Sequence, residues 1–300
     1  MSLGKTAVAL SGGAALGLAH VGVLKALEEF NIRPAFLAGT SAGSIIGAFY
    51  ARGLSISEIE DIVLSIDRMK TIHLLSPSIP LGGLMDPKNF VSFMEEIVGK
   101  NTLIEDLQIP FVAVTVDFRN GNILYLNKGR LVDAVRASIS IPGVFRPLKA
   151  NGSLLVDGGL RENLPLRALE KFDYDTLLGV NVLKTRQLKL DGLFTGISVD
   201  KPQKPNDNEP DNFLERITNA IQINKLKKLD HLPRLTYVGY QSILILLSEL
   251  SNKEILASNP DLVLQIDMSG FQFWEFWRGK EAIETGYREA CEQLTDFFKD

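Results

Sequence analysis

Apolar positions in this chain fall into short unbroken runs that alternate with longer runs of helical period. KTAVALS (5–11) reads as a buried strand, and the glycine-rich GGAALG separates it from LAHVGVLKALEEF, whose apolar residues recur at helical spacing. RPAFLAGT supplies a second strand and AGSIIGAFYARG a second helix, closed by Gly53. This β-loop-α-β-turn-α opening predicts a parallel sheet with helical crossovers.

Further along, Asp86-Pro87 reads as an N-cap with proline at the first helical position, opening a helix that runs to about Gly99. PFVAVTVDF (110–118) and GNILYLN (121–127) flank Arg119-Asn120-Gly121, a hairpin signal. A short helix is expected from about Arg130, ending before Pro142. SLLV and TLLGVNVL are further buried strands, with a helix near 164–172 between them. The fold class is therefore α/β, with a mixed, mostly parallel sheet covered on both faces. Over 186–212 the pattern fails, and KPQKPNDNEPDN reads as a mobile surface loop, a lid or an insertion. Periodicity resumes with helices near 213–229 and 241–250, a strand at 262–266 and a final helix from about Gly279. We expect one domain over 1–300, with 213–300 its more divergent part.

Composition narrows the function classes. The chain is 45% hydrophobic and 23% charged, enough for a sizeable core. A net charge of −4 with scattered basic residues gives no reason to expect nucleic acid. Cys291 is the single cysteine, so no internal disulfide forms and a reducing compartment fits. No basic segment ahead of a long apolar core marks a secretory signal, and SILILLSEL (242–250) is too short to span a bilayer. The expected location is cytoplasmic.

The candidate chemistry begins at GTSAG. Ser41 stands at a strand-to-helix bend, where a central residue is held at strained angles and Gly39 and Gly43 supply room around it. Its hydroxyl would project at the strand's C-terminal edge, over the positive end of the following helix. The alternative is a small-residue turn packed tightly on the sheet. The loop Gly12 to Gly17 follows the first strand as a dinucleotide-binding loop would, but Gly39-Thr40-Ser41 stands where that fold expects an acid to hold a ribose. With both strand ends at one sheet edge, the N–H groups of Gly12, Gly13 and Ala14 would face a developing oxyanion.

Asp157 ends the apolar strand of LLVDGGLRENLPL, followed by Gly158 and Gly159. Asp-Gly is ordinarily a turn, but Asn151-Gly152 already provides one just before this short strand, so a carboxylate presented at a strand end is the competing reading. Of the three histidines, His20 falls in the apolar pattern of the first helix and reads as a packed core residue. His73 lies in an unpatterned segment, and His231 follows a lysine-rich helix end. Only His231 satisfies the chain order of an α/β-hydrolase triad, and that fold places several strands before its serine, where this chain has one.

In this order and spacing, SGGAALGLAHVGVLKALEE, GTSAG, ASISIPGVF (137–145) and LLVDGGLRENLP resemble the patatin-like phospholipase family, of bacterial lipid acyl hydrolase type. The similarity is close over about 5–183 and looser over PDLVLQIDMSGFQFWEFWRGKEAIETGYREA. The resemblance implies a three-layer α/β/α fold and a Ser-Asp dyad. It implies lipid acyl esters as substrates, with no metal or other cofactor. Carried over by motif, Ser41 is the nucleophile, Asp157 the base and the Gly12 to Gly17 loop the oxyanion hole. The chain departs from the family pattern in Ala14, where the loop commonly has its middle glycine, and in Leu16, where a basic residue usually precedes the last glycine.

The expected reaction is acyl-ester hydrolysis through an acyl-enzyme. Two alternatives stand beside it: a non-catalytic lipid-binding or regulatory module that keeps the fold, motivated by Ala14 and Leu16, and an acyltransferase using the same dyad. The cluster Phe271, Phe273, Trp274, Phe276, Trp277 is a candidate for peripheral membrane contact, with packing of a late element onto the core as its alternative.

Overall fold

The computed structural model describes residues 3–74, 87–150, 152–183 and 235–299. The chain divides into two compact units, Met1–Thr185 with Leu244–Asp300, and Arg186–Ile243. The expected loop at 186–212, the helix at 213–229, His231 and Asp86 lie outside the described residues.

The first unit opens as the hydrophobic pattern implies. β1 (Thr6–Leu10) leads through a 3-10 turn at Ala14–Leu18 into α1 (Ala19–Glu29), then β2 (Pro34–Thr40) and α2 (Ala42–Arg52). Gly53 closes α2 at φ 97°, as a C-terminal glycine should. Next come α3 (Ile56–Leu64), α4 (Arg68–Leu74) and α5 (Lys88–Val98), with Pro87 just ahead of α5 rather than in its first position. β3 (Phe111–Asp117) and β4 (Ile123–Leu126) form the expected hairpin, with Gly121 at φ 72° in its turn. α6 (Leu131–Ser138), β5 (Leu148–Ala150), β6 (Ser153–Asp157) and β7 (Thr176–Asn181) follow. α7 (Leu235–Ser258), β8 (Leu262–Gln265) and α8 (Gly279–Phe297) complete the described chain.

The strands form one sheet in the order β5-β6-β3-β2-β1-β7-β8, with β4 also on β3. β3, β2, β1, β7 and β8 run parallel, while β4, β5 and β6 pair antiparallel. β1 sends Val8 and Leu10 to a large core that includes α1, α2, α3, α5, α6 and α8, and Ala7 and Ala9 to a smaller one. On that second face the strands meet Leu164, Leu166 and Leu169, with Ile255 of α7 packed behind. Layers of helix on either side of a mostly parallel sheet make the arrangement α/β/α.

The helix expected near 164–172 reduces to a 3-10 turn at Arg167–Leu169. Pro165 lacks a donor, and a glutamate takes the Leu164 N–H, so Leu164 and Leu166 bury two apart, in extended spacing, over the small alanines of the sheet. α3 falls where no element was expected, yet its start carries a readable signal, the capping box Ser55-x-x-Glu58.

Close helix contact returns the C-terminus to the first helix. A Cβ on Gly22 of α1 would strike the carbonyl of Ile283, and one on Gly286 of α8 the carbonyl of Ala19, so each helix seats against the other through a glycine. Replacing Gly22 with valine forces the helices apart, and we expect a loss of about 2 kcal/mol or more in denaturant unfolding. Gly270→Ala, where a Cβ meets nothing within 4 Å, should change stability by less than about 0.5 kcal/mol. Equal stability of the two variants would refute this account of the packing.

Candidate active site

β2 stops at Thr40 and α2 starts at Ala42, so Ser41 alone makes the turn, at φ 50° and ψ −119°. A side chain rarely occupies this region, and holding it there costs on the order of 1–3 kcal/mol. The surroundings fix it from both sides. The Ser41 N–H donates to Ser138 Oγ at 2.9 Å, and its carbonyl accepts from Ser44 Oγ at 2.6 Å and from the Ser44 N–H at 2.9 Å. A Cβ on Gly39 would meet the backbone of Gly43 and Ser44, and one on Gly43 would meet the carbonyls of Leu10 and Ser11. The small residues around the serine are thus required for α2 to lie against the ends of β1 and β2.

Strand register brings Asp157 to the same place. β3 pairs with β2 through Thr40 and Val114, and with β6 through Asp157 and Thr115. β4 pairs with Ala113 to Val116 and so occupies the opposite edge of β3. β2 and β6 therefore share one edge, end to end, and their last residues meet where one pairing stops and the other starts. The Asp157 N–H donates to the Ser140 carbonyl at 3.0 Å, and Oδ1 accepts the Gly159 N–H at 2.8 Å. Gly158 lies on the β3 backbone, where a Cβ would meet the Val114 carbonyl.

The second carboxylate oxygen, Oδ2, is buried and has no partner within hydrogen-bonding geometry among the described residues. Burial pushes the Asp157 carboxyl up to about 6, opposed by hydrogen bonding from the Ser41 side chain and the Gly159 N–H. The Ser41 side chain thus approaches the carboxylate closely without the alignment of a closed hydrogen bond to Oδ2.

The glycine loop lies alongside. A Cβ on Gly12 would come within 3.4 Å of Ser41 Cβ, so the backbone there passes close to the serine. The Gly12 N–H donates to the Asn163 carbonyl at 3.0 Å. Gly13 and Ala14 retain N–H groups without a hydrogen bond to the described residues. Ala14 keeps a Cβ at φ 50°, where glycine would be at ease, and is a second strained residue beside the site. Leu16 is buried in the larger core, and Gly17 backs onto Ala42, whose Cβ a side chain there would strike.

No imidazole joins these groups among the described residues. His20 is fully buried, its Nε2 donates to the Ser11 carbonyl at 2.8 Å, and burial drives its pKa down to about 4, so it is a neutral core histidine. His73 is on α4, where the sequence showed no pattern, and is not bonded to Ser41 or Asp157.

Several supporting residues escaped the sequence reading. Ser138, the last residue of α6, and Ser140, just beyond it, hold the backbones of Ser41 and Asp157 respectively, and buried Arg136 donates to Ser140 Oγ at 2.5 Å. Their signal was the recurrence of hydroxyls in an otherwise apolar ASISIP. Glu254 of α7 accepts the N–H groups of Asn163 at 3.1 Å and Leu164 at 2.8 Å. Ser251 Oγ accepts from Asn163 Nδ2 at 2.9 Å. Burial pushes Glu254 up to about 8 despite those donors. Nothing in the local pattern of α7 singles out that acid.

Ser41 also lines a pocket enclosing about 810 Å³ of empty space, its open mouth included. Its walls include Ala14, Ile46, Phe49, Phe90, Phe145 and Phe276, and the polar side chains in the lining are Ser41 and Thr71. The Thr71 hydroxyl is turned onto its own helix, donating to the Asp67 carbonyl at 2.8 Å. Such a space suits an alkyl chain. Among the described residues no helix is long and apolar enough to cross a membrane.

The raised Asp157 carboxyl has a consequence for stability. Its favourable share is complete below its ordinary pKa of 3.8 and is lost as pH rises through about 6. That rise corresponds to about 3 kcal/mol. Asp157→Asn should therefore be more stable than the parent by about 2–3 kcal/mol at pH 8, and the advantage should shrink to under about 1 kcal/mol at pH 4. Paired denaturant titrations measure both, and a pH-independent difference would contradict the assignment of a buried, destabilised carboxylate.

Residues 8–170 match the family model described as patatin-like phospholipase. An uncharacterized NTE family protein of Mycobacterium bovis is 35% identical over 178 residues, which cover 59% of this chain and 49% of that one. The patatin-like phospholipase domain-containing protein 7 of Rattus norvegicus is 34% identical over 186 residues, 59% of this chain and 13% of that one. A lysophospholipase of Coccidioides immitis is 32% identical over 182 residues, 58% of this chain and 11% of that one. The chain thus spans about half the length of the mycobacterial relative and less of the others. Among solved structures, VipD from Legionella pneumophila superposes with a TM-score of 0.52 over 98% of this chain and 67% of that one, at 14% identity, a likeness of fold. With a family model matched over more than half its length and its motif residues gathered at one end of the sheet, the chain belongs to the patatin-like phospholipases.

Proposed function

We propose that this chain hydrolyses carboxylic esters of lipids, with Ser41 as nucleophile and Asp157 as its base. The observation that carries the reading is the buried, unpartnered Oδ2 of Asp157 beside a serine that lines an apolar pocket. Relatives whose names include lysophospholipase and patatin-like phospholipase support the same chemistry.

Oδ2 takes the hydroxyl proton as Ser41 Oγ attacks the ester carbonyl carbon, and the N–H groups of Gly13 and Ala14 receive the oxyanion. The tetrahedral adduct collapses, the leaving alcohol takes the proton from Asp157, and the acyl group remains on Oγ. Asp157 then removes a proton from water, whose oxygen attacks the acyl-enzyme. The fatty acid leaves and the proton returns to Oγ. No metal is needed for any step. A carboxyl pushed up to about 6 is ionised at neutral pH yet more basic than an ordinary aspartate, which suits a base acting on a hydroxyl.

Ser41→Ala should abolish turnover of aryl esters and labelling by a fluorophosphonate probe, and turnover at the parent rate would refute the reading. In the parent, kcat/KM should fall with acid below about pH 6, following Asp157. Its value on soluble aryl esters should rise about three- to fourfold per added methylene while the chain still fits, because each buried CH₂ contributes about 0.8 kcal/mol. Ile46→Trp, which fills the pocket, should remove that rise and spare acetyl esters. A flat chain-length profile in the parent would show that the pocket does not receive the acyl chain.

A further inference from the structure

Helix α4 is apolar on two sides. Thr71 and Leu74 face inward and line the pocket that Ser41 shares. Met69 and Ile72, on the other side of the same helix, are 73% and 62% exposed, and Leu64 at the end of α3 is 52% exposed. A surface helix ordinarily buries one apolar stripe and turns polar groups to water. Here water faces the larger apolar side chains, at a place that also forms part of the pocket wall.

The neighbouring groups indicate what covers that side. Arg68 stacks on Trp277 at 4.9 Å from the ring centre, and Lys70 lies 4.8 Å from the ring centre of Phe93, a pocket residue. The one acid of the segment, Asp67, is turned onto the helix as a cap, its Oδ1 accepting the Lys70 N–H at 2.7 Å. Trp274, 39% exposed, sits in the segment whose Phe273 carbonyl accepts the Ala15 N–H and whose Phe276 lines the pocket. Exposed apolar side chains flanked by cationic groups beside an aromatic residue fit the boundary of an anionic lipid layer, where apolar bodies enter the acyl region and positive charges stay with phosphate.

We infer that α4 docks the protein on a phospholipid surface, with Met69 and Ile72 entering the acyl boundary and Trp274 at its edge. This rests on the reading of the pocket as an acyl site, and it adds a route: a chain leaving the layer passes along the inner side of the helix that holds the layer on its outer side. It also resolves the two readings of the late aromatic cluster into a division of labour. Phe276 packs into the pocket wall, while Trp274 is left for the interface.

The test uses Met69→Glu with Ile72→Glu in the full chain. With Ser41→Ala as background, co-sedimentation on phosphatidylcholine vesicles containing phosphatidylglycerol should weaken about tenfold or more when both charges are introduced. With Ser41 intact, release of fatty acid from those vesicles should fall by a similar factor while turnover of a soluble short-chain ester stays unchanged. Met69→Trp should tighten vesicle binding, which keeps the test alive if the double variant folds poorly. Unchanged sedimentation in both variants overturns the inference, as does a shift from oligomer to monomer without loss of lipid binding, which would make the patch a contact between copies. If Ser41→Ala and the parent bind vesicles alike but neither hydrolyses any ester, the proposed reaction fails and the docking surface stands.

Discussion

The site depends on the divided edge of β3. A strand has two edges, and β4 takes one of them along Ala113 to Val116, so β2 and β6 must share the other. β2 arrives parallel and ends at Thr40, while β6 arrives antiparallel and ends at Asp157. Their approach from opposite directions converts a sequence separation of more than a hundred residues into adjacent backbone positions on β3. Hydrogen-bond spacing sets this distance, and a one-residue slip of β6 would turn the carboxylate to the other face. Ser138 and Ser140 then tie both strand ends to the C-terminal end of α6, so the positions of Ser41 and Asp157 are fixed by backbone contacts before their side chains interact.

That arrangement holds two unfavourable features. Ser41 stands at φ 50° and Asp157 is buried with one oxygen unpartnered. Each is destabilising alone, and each is what the proposed chemistry requires: an Oγ held at a turn on the pocket wall and a carboxylate whose affinity for a proton is raised by desolvation. The remainder of the fold offsets them through the large core beneath α1, α2 and α8 and the close glycine contacts between α1 and α8. Glu254 is a further buried acid, holding the N–H groups of Asn163 and Leu164 so that the Asn163 carbonyl can hold Gly12.

Much of this was legible in the sequence because local physics dictated it. The strand-loop-helix opening, the hairpin at Arg119-Asn120-Gly121, the neutral core histidine and the room left by Gly39 and Gly43 all follow from periodicity or from steric need at single positions. What stayed hidden depends on partners distant in the chain. The extended course at Leu164 follows from Glu254 and from the alanines of β1, and no window around Leu164 contains either. The bond made by the Gly12 N–H depends in the same way on the carbonyl of Asn163. The helix α3 was different, since its capping box was in view and went unread.

The chain's departures from the family pattern take on meaning against the pocket. Leu16, where a cation is usual, is buried in the larger core, and the pocket lining offers Ser41 and Thr71 as its polar side chains, the latter bonded to its own helix. On the proposed reading, selection inside the pocket rests on apolar area, which scales with chain length and is indifferent to the head group. Positive charge appears instead outside it, on Arg68 and Lys70, where each is held against an aromatic ring. In the proposed division, attraction to an anionic surface and recognition of the acyl chain reside on opposite sides of one short helix. The two can then vary independently: charge on the outer face sets residence on the lipid layer, and volume on the inner face sets which chain is cleaved.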